Sequence, residues 1–168
     1  MFRYELDLRK IEKSDLGLLM NLKMQYLEFH HRNAIINAAD QEAWFDSLDM
    51  NVHQPKNIFM IGSHENQDVG FLGLTNINYI DRTAFVNCDI LPEVRSKGMG
   101  TKLISSGLQF AREILNLRKI CCEILATNHA SIRMIQKNNF VHEGTRLQQV
   151  YKKGGYVDSL MFGLIIEP

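Results

Sequence analysis

The chain has 168 residues, 45% of them hydrophobic and 23% charged, and its 19 Lys and Arg balance 19 Asp and Glu to a formal net charge of zero. That composition fits one soluble globular domain over residues 1–168 and excludes a disordered tail, a collagen repeat or a disulfide mini-scaffold. The balance is uneven along the chain: residues 1–90 carry 13 acids and 8 bases, residues 91–168 carry 6 acids and 11 bases, which points to an anionic partner for the second half rather than a nucleic-acid groove.

In chain order, Tyr4 to Leu8 alternates apolar and charged residues and predicts a half-buried strand. Ser14 offers an N-cap to a helix whose stripe runs through Leu16, Leu19, Leu22 and Tyr26. His30-His31-Arg32-Asn33 reads as a loop or frayed helix end, and Asn33 to Asn51 holds a second short helix around Ala43, Trp44, Phe45 and Leu48, closed by Gln54-Pro55. Ile58 to Ile61 is a strand and Gly62 to Gln67 a turn. Val69 to Ile80 and Ala84 to Leu91 are strands joined at Asp81-Arg82, with Pro92 ending the second by removing a ladder donor.

After the glycine-bearing stretch Arg95 to Gly100, a helix runs through Leu103, Leu108 and Leu115. Lys119 to Ala126 is a strand, Asn128 caps a helix to about Lys137, and Phe140 onward gives two strands around Lys153-Gly154-Gly155. The order β α α β β β α β α β β predicts one α/β (α+β) domain with helices on a mostly antiparallel sheet, Ala84 to Ala126 forming its one parallel unit.

Cys88, Cys121 and Cys122 have no spacing for disulfides or zinc, and the six histidines lack metal-ligand companions, so no metal is expected. Cys88 as a nucleophile would need a base partner, and a buried strand cysteine is the better reading. No apolar run approaches the roughly 20 residues of a membrane span, and Met1 to Lys13 does not read as a signal segment. A cytoplasmic protein without membrane or nucleic-acid partners is expected.

The segment that carries chemistry is Ile90 to Leu103, where a strand ends, glycines follow and a basic helix begins. Such a turn directs backbone N–H groups at a positive helix end and suits phosphate. A Walker loop is excluded because Lys97 precedes Gly98, and the dinucleotide fingerprint because Leu103 stands where its third glycine belongs. The remaining pattern, Arg95-x-x-Gly98-x-Gly100, resembles the pyrophosphate loop of the GNAT family of acyl-CoA N-acyltransferases. Asn128 to Phe140 is similar to that family's Asn-x-x-Ala/Ser-x-x-Leu-Tyr-x-x-x-Gly-Phe helix at full spacing, and the element order agrees across nearly the whole chain.

The resemblance implies a GNAT-like domain whose central parallel strands splay at the acyl-CoA site, with acetyl-CoA as co-substrate and direct transfer of acetyl to a neutral amine. Carried over, it places CoA against Ile90, Leu91, Arg95, Ser96, Lys97, Gly98, Met99, Gly100, Thr101, Asn128, Ser131 and Lys137, with the oxyanion on a backbone N–H near Leu91 and the pyrophosphate on the amides from Arg95 to Thr101. Two departures stand out: Ile135 replaces the tyrosine that often protonates the thiolate, and Asn139 replaces a glycine, which asparagine can do because it tolerates positive φ.

Ser131 matches the serine given the acid role in the branch resembling ribosomal-protein-serine acetyltransferases, with Tyr151 second, although Val150 stands where that branch has a carboxylate. Asp89 and Glu123, on the two parallel strands, are each a candidate base or an ordinary salt-bridge partner. Trp44 and Phe45 are core or acceptor-pocket residues. The segments around residues 31–45, 71–77 and 156–161 look most like the branch of amino-sugar and spermidine acetyltransferases, so an amino-sugar nucleotide or a polyamine is the expected acceptor. Protein N-terminal acetylation and a non-catalytic acyl-CoA-binding domain stay as alternatives, and a homodimer is compatible with the family.

Overall fold

The computed structural model describes residues 4–31, 37–48 and 53–166. The expectations resting on Arg32, Asn33 and Asn51 lie outside the described residues. The elements are β1 (Asp7–Lys10), α1 (Leu16–Gln25), α2 (Ala38–Asp46), β2 (Ile58–His64), β3 (Gln67–Asn78), β4 (Thr83–Ile90), α3 (Met99–Glu113), β5 (Lys119–Leu125), α4 (His129–Lys137), β6 (Val141–Lys152) and β7 (Gly155–Ile165). The strands form one seven-stranded sheet in the order β1-β2-β3-β4-β5-β7-β6. Every neighbouring pair is antiparallel except β4 with β5, so the expected single parallel unit is present.

Strand alternation sends apolar side chains to both faces, and each face receives two helices. Leu72, Leu74, Val86, Ile120 and Cys122 pack with Leu103, Ile104 and Ala111 of α3 and Ile135 of α4. Phe59, Ile61 and Phe71 point the other way and pack with Leu16, Leu19 and Leu22 of α1, with Trp44 and Phe45 of α2 at the margin. Trp44 is half-buried and packs against the core of that face, its ring edge-on to Phe59 at 5.1 Å.

Three local expectations are corrected. The first strand lies at Asp7–Lys10, not Tyr4–Leu8, because Leu6 is buried and its N–H is taken by Ser106 Oγ of α3 at 3.0 Å instead of a ladder partner. Ser14 caps nothing. Residues Lys13–Asp15 form a 3-10 turn in which the Asp15 carboxylate accepts the Glu12 N–H at 2.8 Å and both Arg9 guanidinium nitrogens at 2.8 Å. The turn expected from Gly62 is strand, because Gly62 serves close packing: a Cβ there would stand 2.3 Å from Leu103 Cδ1. The real turn is Glu65-Asn66, both at positive φ (51° and 63°), the two-residue hairpin conformation.

The decisive feature is where β4 and β5 stop pairing. Only Thr83, Ala84 and Phe85 match Lys119, Ile120 and Cys121. Beyond them β4 stays bonded to β3 as far as Ile90, and β5 stays bonded to β7 as far as Leu125, so the two strands part and leave a slot in the middle of the sheet. Among the described residues no helix is long and apolar enough to cross a membrane.

Candidate active site at the strand splay

On the α3 side, the slot ends at an open helix terminus. Gly98 is at φ 76° and no side chain caps α3. Its first internal bond runs from the Lys102 N–H to the Gly98 C=O at 3.2 Å, so the amides of Met99, Gly100 and Thr101 have no acceptor within the helix. Ser96, also at positive φ (60°), folds the loop toward that end. A Cβ on Gly100 would lie 2.6 Å from Met134 Sδ and 3.3 Å from Ile90 Cγ1, which shows how closely β4, α3 and α4 converge and why glycine stands there. These features suit a pyrophosphate: free amides, a positive helix end and no side chain in the way.

Two assumed donors are unavailable. The Arg95 N–H is held by the Pro92 C=O at 3.3 Å, so the free amides begin after it. The Leu91 N–H, expected near the oxyanion, is consumed by the Val69 C=O of β3 at 2.9 Å. That bond also fixes which neighbouring amide is left open. In an antiparallel pair, alternate residues turn their N–H and C=O to the partner, so Ile90, opposite Gly70, turns both groups away from β3 and into the slot.

The helix predicted after β5 is present with its cap: Asn128 Oδ1 accepts the Ser131 N–H at 3.2 Å. Ser131 is half-buried and sits one turn before Met134 on the same helical side, toward the start of α3. Lys137 is exposed in the last turn. Asn139 takes the positive φ (63°) expected of it. Tyr151 lies near the far end of β6, 54% exposed, its ring edge-on to Tyr156 at 5.5 Å.

On the opposite side, the chain beyond α1 crosses the slot. The Tyr26 hydroxyl donates to the Ile90 C=O, and the Arg95 guanidinium lies over the Tyr26 ring, 4.4 Å from its centroid. Burial raises the Tyr26 phenol above its ordinary value and the neighbouring Arg95 draws it partly back. Asp89 and Glu123 both face this side, on β4 and β5 respectively, and neither stands alone. His30 Nε2 is 3.6 Å from Asp89 Oδ1. His31 Nε2 is 3.8 Å from Glu123 Oε1 and 2.8 Å from Ser159 Oγ of β7, and Arg146 Nη1 is 3.6 Å from the same Glu123 oxygen.

Sequence reasoning missed Tyr26, His30, His31, Arg146 and Ser159. No local motif carries them; the only signal was the adjacency of His30 and His31 after a helix. Cys122 is buried and Cys88 and Cys121 are half-buried, and desolvation pushes the Cys88 and Cys122 thiols up and away from the reactive thiolate.

Residues 5–141 match the family described as the acetyltransferase (GNAT) domain. The spermidine N(1)-acetyltransferase of Vibrio cholerae serotype O1 is 30% identical over 161 residues, covering 92% of this chain and 89% of that protein. A crystal structure of spermidine N-acetyltransferase from Vibrio cholerae in complex with CoA and spermine has the same fold, with a TM-score of 0.87 at 24% identity over 96% of this chain and 95% of that one. A dodecameric structure of spermidine N-acetyltransferase from Vibrio cholerae matches with a TM-score of 0.79 at 25% identity, over 96% and 94%.

Proposed function

The chain belongs to the GNAT acetyltransferase family and is an N-acetyltransferase using acetyl-CoA, and from that premise we propose that its acceptor is a polyamine of the spermidine type, acetylated on a primary amine by direct transfer. The observation that carries the reading is the pair of carboxylates, Asp89 and Glu123, on the same side of two strands that part just below them. A cationic amine entering from the α1 side meets negative charge there, next to the backbone of Ile90. The similarity to a spermidine N(1)-acetyltransferase over most of both chains supports the same acceptor class. No observation favours an amino-sugar nucleotide or a protein N-terminus over it.

In this reading acetyl-CoA supplies an activated thioester. The free amides of Met99, Gly100 and Thr101 and the basic residues Lys97 and Lys102 hold its pyrophosphate, Ser96 and Gly98 shaping the loop. The Ile90 N–H polarises the carbonyl oxygen and steadies the charge that develops on it. Asp89 and Glu123 attract and orient the ammonium. Ser131 supplies the proton to the departing sulfur in place of the tyrosine lost at Ile135, with Tyr151 as second candidate; Asn128 fixes the helix end that carries Ser131. Self-association of this chain belongs to the same reading, since one structural relative is a dodecamer.

The test is release of free thiol from acetyl-CoA over a panel holding spermidine, spermine, an amino-sugar nucleotide and a peptide with a free N-terminus. Turnover with the polyamines is expected. Turnover only with the sugar nucleotide or the peptide would overturn the acceptor, and tight CoA binding without amine-dependent release would overturn catalysis by this chain. Ser131→Ala should lower kcat by at least about 10-fold, below the usual range for loss of a general acid because a thiolate is a fair leaving group. Undiminished turnover across pH would move the acid to Tyr151 or to water.

A further inference from the structure

The dipeptide His30-His31 follows α1 directly, and its two imidazoles reach to opposite banks of the slot. His30 goes to Asp89 on β4, and His31 to Glu123 on β5 and Ser159 on β7. The slot is thus bridged, on the side where the amine is proposed to enter, by two imidazole rings, each set against a carboxylate. A carboxylate is a weak base toward an alkyl ammonium, and the Glu123 carboxylate already has Arg146 beside it at 3.6 Å. Imidazole is the stronger base of the two.

We infer that His31 is the general base of the transfer, with Glu123 and Ser159 as positioning residues that hold its tautomer. Ser159 Oγ can accept from Nε2 or donate to it, whereas the Glu123 carboxylate beside it can only accept, so the arrangement favours the neutral ring with its proton on Nε2 and its lone pair on Nδ1. The ammonium N–H bond breaks with its electrons left on nitrogen, and the proton passes to Nδ1. The freed nitrogen pair forms the N–C bond to the acetyl carbon, the C–S bond breaks with its pair on sulfur, sulfur takes a proton from the acid, and the second N–H proton, lost as the amide forms, restores the acid. The imidazolium formed lies beside Glu123 and later returns its proton to water. This inference rests on the N-acetyltransfer reading above.

Among the described residues, four charged or titratable side chains act on the ring. Burial lowers its pKa below the ordinary 6.5, Glu123 of β5 opposes that, and Lys152, His30 and Arg146 add to the lowering. His31 is therefore neutral at pH 7 and able to accept a proton. The acidic limb of the rate profile should fall below pH 6.5.

The experiment is the pH dependence of kcat/KM for the amine in the wild type, His31→Gln, His30→Gln and Glu123→Gln, with whichever amine of the panel the wild type accepts. If spermidine is not turned over but another amine is, the acceptor reading fails and the base is still tested. His31→Gln should lower kcat by about 100-fold, abolish the acidic limb, leave CoA affinity unchanged and be partly rescued by added imidazole. Glu123→Gln should raise the KM for the amine, since a carboxylate facing the ammonium is lost, and move the limb to lower pH, because the charge that holds the imidazolium is gone. Loss of the limb in His30→Gln, or loss of turnover in Glu123→Gln with His31→Gln still active, would overturn the inference. Should His31→Gln not fold, as judged by circular dichroism and CoA binding, the Glu123→Gln shift decides alone.

Discussion

The two sides of the slot present different kinds of group. The α3 side offers backbone: free amides at one helix end, two residues at positive φ, and a glycine with no room for a Cβ. The α1 side offers side chains drawn from five elements or their flanks, with His31 and Ser159 brought together across 128 positions of sequence. Recognition by backbone is written in neighbouring residues, whereas recognition by converging side chains is written in the whole fold. The first can be read from a few residues, and it leaves the second free to vary.

The largest expected effect tests whether the two sides are separable. Phe71 is 8% exposed and its ring stacks on Phe59 at 5.7 Å, under α1 and α2. Phe71→Ala should cost about 4 kcal/mol in urea unfolding. Below its lowered melting temperature the variant should still bind CoA as the wild type does, because the α3 face has its own core of Leu72, Leu103 and Ile104. CoA affinity falling in step with stability would show that one packing unit carries both sides.

Next in size is the reverse probe. Gly98→Asp puts a carboxylate at the mouth of α3 with no neighbour within 4 Å to clash, and aspartate tolerates the positive φ better than most residues. The fold should be kept with a melting temperature a few degrees lower, from the side chain forced to positive φ, while CoA affinity falls by about 100-fold, or about 2.7 kcal/mol, read by calorimetry. Unchanged affinity would remove the pyrophosphate from this loop.

The same contrast explains what the sequence made legible. The element order, the single parallel pair, the Asn128 cap and the Arg95-x-x-Gly98-x-Gly100 turn are local or periodic, and each is present. The reading failed where a long-range contact overrode a local sign. Gly62 looked like a turn because its packing partner, Leu103, lies far along the chain, and the sequence could place the oxyanion only near Leu91 because which amide is open depends on the β3 register. His30 and His31 signalled only by their adjacency after a helix, since their partners Asp89, Glu123 and Ser159 lie far along the chain.

Tyr26 is the residue where the two sides touch, through Ile90 and Arg95. Tyr26→Phe keeps the ring under Arg95 and removes only the hydroxyl. It should cost about 1 kcal/mol and change the KM for acetyl-CoA by about five-fold or less. Tyr26→Leu removes the stacked ring as well and should cost more, and equal effects would mean that the Arg95 contact contributes nothing.

The smallest effect concerns how α1 is started, since its register decides where Tyr26, His30 and His31 arrive. Asp15 is buried, with Arg9 and the Glu12 N–H on its oxygens, and the Arg9 guanidinium holds its carboxyl below the ordinary 3.8. A depressed value in the folded state means that the carboxylate's contribution is fully present above pH 3.8 and is lost as pH falls through the lower folded value. Because the Arg9 side chain is 43% exposed, solvent screens the pair and limits that contribution to about 1 kcal/mol. Asp15→Asn should therefore flatten the acid arm of the stability curve and lower stability slightly at pH 7, as measured by urea unfolding between pH 3 and 7. Turnover should fall more than CoA affinity, because a frayed start to α1 displaces the histidines while leaving the amides of α3 in place.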